Sequence, residues 1–287
     1  MKRIRSLLGA VPALLLALVL TACGGGSDPG GTGGTAADAP AGTSADVPGD
    51  ADDPDADDAD GPVVDGELLV FAAASLTDAF EEIADALSEA HPDLAVTYNF
   101  AGSQALAAQL VEGAPADVFA SASGAQMGVA EDAELVDAPS PFVSNRLAIV
   151  VEAGNPLGIT GLEDLARDDI VLVLAGEEVP AGQYAAEALD AAGVEVSPAS
   201  LEVDVRATLS KVQLGEADAA IVYESDVVTA GDSVEAVGIP DDQNVVASYP
   251  VAVLSEAPNP AAAAAFVAFL GSDEGREILE RYGFRAP

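Results

Sequence analysis

Strands and helices alternate from Glu67 to the end of the chain, which predicts an α/β fold of two lobes, each a mixed, mainly parallel sheet flanked by helices. Three observations carry the prediction. Short apolar runs suited to buried strands are each followed by apolar residues at helical spacing. Pro139-Ser140-Pro141 and Gly154-Asn155-Pro156 interrupt the series near its middle and leave units of comparable size on either side. No segment recurs at a fixed period, so neither a solenoid nor a propeller is expected.

The first strand is expected from Glu67 to Ala72, after which Leu76, Phe80, Ile83, Ala84 and Leu87 share one helical face. Ser75 lies between them and is predicted to be the N-cap, where unpaired N–H groups and the positive helix end also suit an anion. A strand over Leu94 to Phe100 leads through Ala101-Gly102-Ser103 into a helix carrying Leu106, Leu110 and Val111. A strand from Asp117 to Ala120, a helix from about Gly124 to Asp132, the Pro-Ser-Pro break and a strand from Arg146 to Glu152 complete the first series. The second opens with a short helix around Leu162 to Ala166 and a strand from Ile170 to Leu174. Val179-Pro180-Ala181-Gly182 then starts a helix through Tyr184, Ala185, Ala188 and Leu189, with Gly193 as its C′ residue. Val203-Asp204-Val205-Arg206 begins a helix through Leu209, Val212 and Leu214, followed by strands Ala219 to Tyr223 and Val245 to Leu254. Helices over Pro260 to Leu270 and Asp273 to Tyr282 finish the chain.

The first residues carry a different signal. Basic Met1-Lys2-Arg3-Ile4-Arg5, an apolar stretch from Leu7 to Leu20, and Leu20-Thr21-Ala22-Cys23 read as a secretory signal peptide over residues 1–22, too short for a comfortable membrane span. Its end resembles a bacterial lipoprotein signal, which implies cleavage before Cys23 and lipid on that thiol. Cys23 is the only cysteine, so an internal disulfide and thiolate metal chemistry are both excluded. Residues 23–66 are rich in Gly, Ala, Thr, Pro and Asp, with eleven aspartates and no basic residue. That stretch is expected to be a disordered tether, and its acidic pairs lack the ligand spacing of an EF-hand. Formal net charge is -39, and loss of residues 1–22 with their three basic side chains takes it to -42, which excludes nucleic acid as a partner.

Ser75, Ser103, Ala181 and Val205 each stand at a predicted helix start. In open α/β sheets ligands collect beyond the carboxyl ends of strands, where such turns lie. If the lobes face each other, these helix ends and two serine hydroxyls could cradle an anion without lysine or arginine. Only seven basic residues would remain in the mature chain.

The segments Val70-Phe71-Ala72-Ala73-Ala74-Ser75-Leu76, Phe100-Ala101-Gly102-Ser103, Ala114-Pro115-Ala116-Asp117-Val118, Val179-Pro180-Ala181-Gly182, Asp204-Val205-Arg206, Ile221-Val222-Tyr223-Glu224-Ser225-Asp226, Tyr249-Pro250-Val251-Ala252-Val253 and Arg281-Tyr282-Gly283-Phe284 resemble, in this order, the molybdate-binding proteins of ABC importers. The resemblance runs from Glu67 to Phe284. It implies a two-lobed periplasmic-binding-protein-like fold of type II, with residues 67–146 plus 249–287 as lobe 1, residues 147–248 as lobe 2, and a hinge where the chain crosses. It further implies that molybdate or tungstate binds in the interlobe cleft. Ser75 and Ser103 would give hydroxyl and main-chain donors, Ala181 and Val205 main-chain N–H groups, and Tyr223 its phenolic O–H. Gly102 stands where the family often has serine, so a supporting hydrogen bond is expected to be missing. No cofactor and no direct metal ligand is implied, because molybdenum would enter only as its oxyanion. The expected partners are a membrane permease and, through it, an ATPase. A monomer held by Cys23 at the outer face of the cytoplasmic membrane would deliver the anion.

The residues themselves favour a fully deprotonated dianion, because all five proposed contacts are donors. Asp204 is expected to cap its helix and Asp78 to sit in a first turn, both turned from the ligand. Donor count does not separate molybdate from tungstate or sulfate. A binding protein for another oxyanion such as sulfate is the first alternative, and an envelope-anchored hydrolase is the main alternative from another class. The only histidine, His91, precedes Pro92 at a helix end, where it is expected to be exposed, and no Gly-x-Ser-x-Gly elbow is present. A sensor domain on the same scaffold is a third possibility.

Overall fold

The computed structural model describes residues 64–287. The signal segment, Cys23 and nearly all of the acidic tether lie outside the described residues. The folded part starts slightly before Glu67, since Val64 is already buried against the core and Gly66 pairs with Leu94.

In chain order the first half comprises β1 (Gly66–Ala73), a 3-10 turn (Ala74–Leu76), α1 (Thr77–Ala90), β2 (Leu94–Ala101), α2 (Ser103–Val111), β3 (Val118–Ala120), α3 (Gly124–Asp132) and β4 (Ser140–Glu152). A second 3-10 turn (Leu162–Ala166), β5 (Leu172–Ala175), α4 (Pro180–Ala192), β6 (Ser200–Glu202), α5 (Val205–Gln213), β7 (Ala219–Tyr223), α6 (Glu224–Ala230) and β8 (Val234–Gly238) follow. The chain ends with β9 (Val246–Val253), α7 (Pro260–Leu270) and α8 (Asp273–Arg281).

The strands join in the order β2-β1-β3-β9-β4-β7-β5-β6, with β8 also on β4. At both flanks the pairing is parallel, where β1 meets β2 and β3 and where β5 meets β6 and β7. Through the middle it is antiparallel, and every such pair involves β4 or β9. β4 changes partner along its length: Ser140 to Arg146 pair with β9, and Leu147 to Val151 pair with β7. Pro139-Ser140-Pro141 was expected to interrupt regular structure, yet β4 already begins at Ser140. A register shift between Pro141 and Val143 accommodates the proline, which lacks a ladder donor.

Among the strands in parallel pairs, β3, β5 and β7 are short and wholly buried, as strands covered on both faces must be. On one side α1 presents Phe80, Ile83 and Leu87 to the core, and Phe80 meets Phe266 of α7 edge-on with ring centroids 5.4 Å apart. On the other side Leu106 and Leu110 of α2 pack with Met127 of α3 over Phe71 and Phe119. Asp117, in the Ala-Pro-Ala-Asp segment, ties the C-terminal helices to this first half. Its buried carboxylate accepts from Leu69 N at 2.8 Å and from Asn259 N, at the cap of α7, at 2.6 Å.

Several boundaries match the sequence reading residue for residue, among them α3, β7 and α7. Gly193 adopts the left-handed conformation expected after α4, with φ 68°. Two strands and one helix were not anticipated. β6 has three part-exposed or exposed residues and β8 lies mostly exposed along β4, so neither has the apolar run that marks a buried strand. α6 has seven residues, too few for helical periodicity to stand out.

Candidate functional site

Five strand-to-helix turns converge. Ser75, Ser103, Ala181, Val205 and Tyr223, widely separated in sequence, all line one small cavity together with Ala73, Ala74, Gly102, Ala122, Val179, Pro180 and Asp204. No lysine or arginine lines it. The free space within it is about 10 Å³, on a scale where one water needs about 10–15 Å³, so the cavity as it stands suits a compact ligand in direct contact with the walls.

Each turn offers donors for a local reason. α2 begins at Ser103 after Gly102, so the first-turn N–H groups have no carbonyl behind them. Ser103 is buried, and its Oγ accepts from Ala122 N at 3.0 Å, which leaves its own proton to donate. In α4, Pro180 takes the first position and has no N–H, so Ala181 supplies the first donor of that helix. Gly182 lets this helix end approach β5, since a Cβ there would sit 2.0 Å from Gly176 O. At α5 Asp204 is the N-cap as expected: its Oδ1 accepts from Ala207 N at 2.8 Å, which turns the carboxylate toward its own helix and leaves Val205 N at the tip.

Ser75 departs from its predicted role. It does not cap α1, because Ala74–Leu76 closes a 3-10 turn first and α1 starts at Thr77 with no side-chain cap. Thr77 Oγ1 donates instead to Ala74 O at 2.8 Å, and the Ser75 hydroxyl is 2.9 Å from the Tyr249 hydroxyl. Ser75 and Tyr249 are both buried. If Tyr249 donates to Ser75, the serine proton is free for a ligand. Tyr249 was not singled out beforehand, although its Tyr-Pro-Val-Ala-Val segment was.

Tyr223 is fully enclosed, and its hydroxyl, with the Tyr249 hydroxyl beside it, makes no hydrogen bond of normal geometry among the described residues. Burial above all pushes its ionisation far upward, with Tyr249, Tyr184 and Asp226 nearby adding to the effect, so it stays a neutral donor. An unpaired buried hydroxyl costs about 1–3 kcal/mol, so an orphan donor in a cavity wall points to a ligand oxygen.

Behind the wall lies Asp226, also fully buried. Its Oδ2 accepts from Tyr223 N at 3.0 Å, and its Oδ1 lies 3.2 Å from Arg206 Nε, in ionic contact but off the hydrogen-bond line. Burial raises its pKa to about 6, against the opposing pull of Arg206 and the Tyr223 N–H. Arg206 also pairs with Asp78, which occupies the first turn of α1 as predicted. Gly102 has a steric reason to lack a side chain: a Cβ there would come 2.8 Å from Val203 O, across the cavity mouth. His91 is partly buried rather than exposed, because Val64 N reaches its Nδ1 at 3.4 Å. Among the described residues no cluster of His, Cys, Asp and Glu could hold a metal ion, and no helix is long and apolar enough to cross a membrane.

Residues 68–285 match the family model described as bacterial extracellular solute-binding protein. The molybdate-binding protein ModA of Mycobacterium tuberculosis is 42% identical over 221 residues, covering 77% of this chain and 85% of its own. ModA of Escherichia coli is 35% identical over 234 residues, covering 77% and 89%. The periplasmic molybdate-binding protein of Azotobacter vinelandii superposes with a TM-score of 0.65 at 18% identity, over 77% of this chain and 99% of that one, a likeness of fold. The chain belongs to the bacterial extracellular solute-binding protein family, alongside the ModA proteins.

Proposed function

We propose that this protein captures molybdate, and tungstate with it, in the cavity between its two halves and delivers the anion to a membrane permease driven by an ATPase. The observation that carries this reading is the convergence of Ser75, Ser103, Ala181, Val205 and Tyr223 on one cavity with neutral donors and no cation. Ser75 and Ser103 donate through hydroxyls and main chain, Ala181 and Val205 through N–H groups, and Tyr223 through its unpaired phenol. A dianion that carries no proton needs only donors, whereas hydrogen phosphate also needs an acceptor. The one carboxylate in the wall, on Asp204, is engaged with its own helix. Hydrogen bonds to a charged group contribute about 1.5–3 kcal/mol each, enough in sum to offset desolvation of the dianion.

The lobes in this reading divide where β4 exchanges β9 for β7, between Arg146 and Leu147, and again beside Tyr249. Opening and closing about these crossings admits and encloses the ligand. The protein itself carries out no reaction, binds no cofactor, and acts as a monomer. Lipid on Cys23 holds it at the outer face of the cytoplasmic membrane, so Cys23→Ala is expected to release it from the membrane fraction. The functional test is a thermal-shift panel of molybdate, tungstate, sulfate, phosphate and chromate. At 100 times the dissociation constant a ligand adds about 2.7 kcal/mol. Stabilisation by molybdate and tungstate is expected, and no shift with any of the five would refute oxyanion capture.

A further inference from the structure

Arg206 occupies the second position of α5, where the helix dipole is unfavourable to a cation, so something other than its own helix must hold it there. Two carboxylates do. Its guanidinium pairs with Asp78 on α1, and its Nε lies 3.2 Å from Oδ1 of Asp226 at the start of α6. Each of the three is tied to a residue that lines the cavity: Asp78 is three positions after Ser75, Arg206 follows Val205, and the other oxygen of Asp226 holds Tyr223 N at 3.0 Å.

The two ion pairs differ in their surroundings. Asp226 is completely shielded, whereas the Asp78 and Arg206 side chains retain 34% and 24% of their exposure. A charge fixed on a shielded partner keeps its orientation, while a pair that water can reach is able to part and re-form. Other contacts cross the same boundary, among them hydrogen bonds from Gln104 Nε2 to Val203 O at 2.9 Å and from Gln126 Nε2 to Glu178 O at 3.4 Å, and ion pairs of Arg285 with Glu224 and of Arg146 with Asp241, each at 2.6 Å. Arg206 differs from these in bridging two carboxylates, one of them fully buried.

We infer that Arg206 is a positioning residue that latches the two halves over the ligand, staying on Asp226 when they separate and engaging Asp78 when they meet. The inference rests on the oxyanion-capture reading above. Arg206 does not touch the anion. It joins the elements that bear Ser75, Val205 and Tyr223, so that closure and alignment of the donors occur together. Loss of the Asp78 contact then acts on escape of the ligand more than on its arrival.

The test is stopped-flow release of molybdate, with small-angle scattering of the molybdate-saturated full-length protein. Asp78→Asn is expected to raise the dissociation rate about twofold to fivefold, the scale of a partly exposed ion pair, with little change in association. Scattering should show a larger radius of gyration for the saturated variant than for the wild type. Arg206→Lys, which keeps the charge but loses the fork that spans both carboxylates, should release molybdate faster as well. High salt should narrow the gap between the wild type and Asp78→Asn, because the lost contact is ionic and reachable by water. Asp169→Asn, which removes an exposed carboxylate paired with Arg167, serves as the control and should leave release unchanged. Wild-type protein that binds molybdate while both variants release it at the wild-type rate would overturn the latch alone. Wild-type protein that binds no oxyanion would overturn the capture reading and the latch with it.

Discussion

Replacing Tyr223 with phenylalanine should move folding stability and ligand affinity in opposite directions. The side chain is 1% exposed and its hydroxyl makes no hydrogen bond of normal geometry among the described residues, not even with the Tyr249 hydroxyl beside it, so the unliganded protein carries a poorly satisfied donor. Such a group costs about 1–3 kcal/mol, and the phenylalanine variant should therefore unfold at the wild-type temperature or a few degrees above it. Binding removes the advantage. One hydrogen bond to a charged oxygen is worth about 1.5–3 kcal/mol, which corresponds to a dissociation constant about 10- to 150-fold higher. At a molybdate concentration about 100 times the wild-type dissociation constant, the wild type gains about 2.7 kcal/mol, whereas a variant weakened about fiftyfold gains only about 0.6 kcal/mol. Calorimetric titration together with melting curves, with and without molybdate, reads both quantities. A phenylalanine variant that binds as tightly as the wild type would refute the role of the phenol. One that melts far lower without ligand would show instead that the hydroxyl is satisfied within the protein.

Two other substitutions separate support from contact. Ser103→Ala should lose affinity and also about 1–3 kcal/mol of stability, because it leaves buried Ala122 N without its acceptor; urea unfolding with an unchanged midpoint would argue against that hydrogen bond. Asp226→Asn should alter the pH dependence of stability. With a folded-state pKa of about 6 against an ordinary 3.8, Asp226 keeps a proton that the unfolded chain releases, so its contribution is fully present below about pH 4 and is lost as pH rises through 6. The loss is about 3 kcal/mol by pH 7, and denaturation of both proteins at pH 4.5 and 7 should show the variant gaining on the wild type across that window; parallel pH profiles would refute the buried-acid assignment.

What the sequence made legible was the part of the fold governed by local rules. Strand, turn and helix follow from apolar spacing and from Pro and Gly punctuation, which is why α3, β7 and α7 could be bounded to the residue and Asp204 recognised as a cap. The turns that carry Ser75, Ser103, Ala181 and Val205 could be found in the same way; Tyr223 entered only with the resemblance to molybdate-binding proteins, because α6 after it was not legible. Long-range pairings were not legible. Nothing near Ser75 reveals that Tyr249, 174 positions away, takes its hydroxyl, or that Arg206 spans Asp78 and Asp226. The cap assigned to Ser75 failed because a 3-10 turn and Thr77 satisfied the local backbone first. The exposed strands β6 and β8 gave no periodic signal, since their stability comes from a neighbouring strand and not from burial of a face of their own.

A chain with a formal charge of -39 that binds a dianion invites an electrostatic objection, and the arrangement of the site answers it. Charges more than about 8–10 Å apart are largely screened at physiological salt, so the acidic surface weighs little on a ligand held inside the walls. What acts at close range is the set of N–H and O–H dipoles at the helix starts, which lose their water when the cavity closes and have no charge of their own to desolvate. A lysine in the wall would strengthen attraction for any anion alike. Neutral donors fixed by the backbone instead reward an oxyanion that fills every acceptor position and carries no proton. Arg206, next to Val205 of the wall, is held by two carboxylates rather than lining the cavity. On the proposed reading the neutral donors set selectivity and Arg206 sets closure, and because Arg206 adjoins the elements that carry the donors, a change at the latch is expected to reach the donors as well.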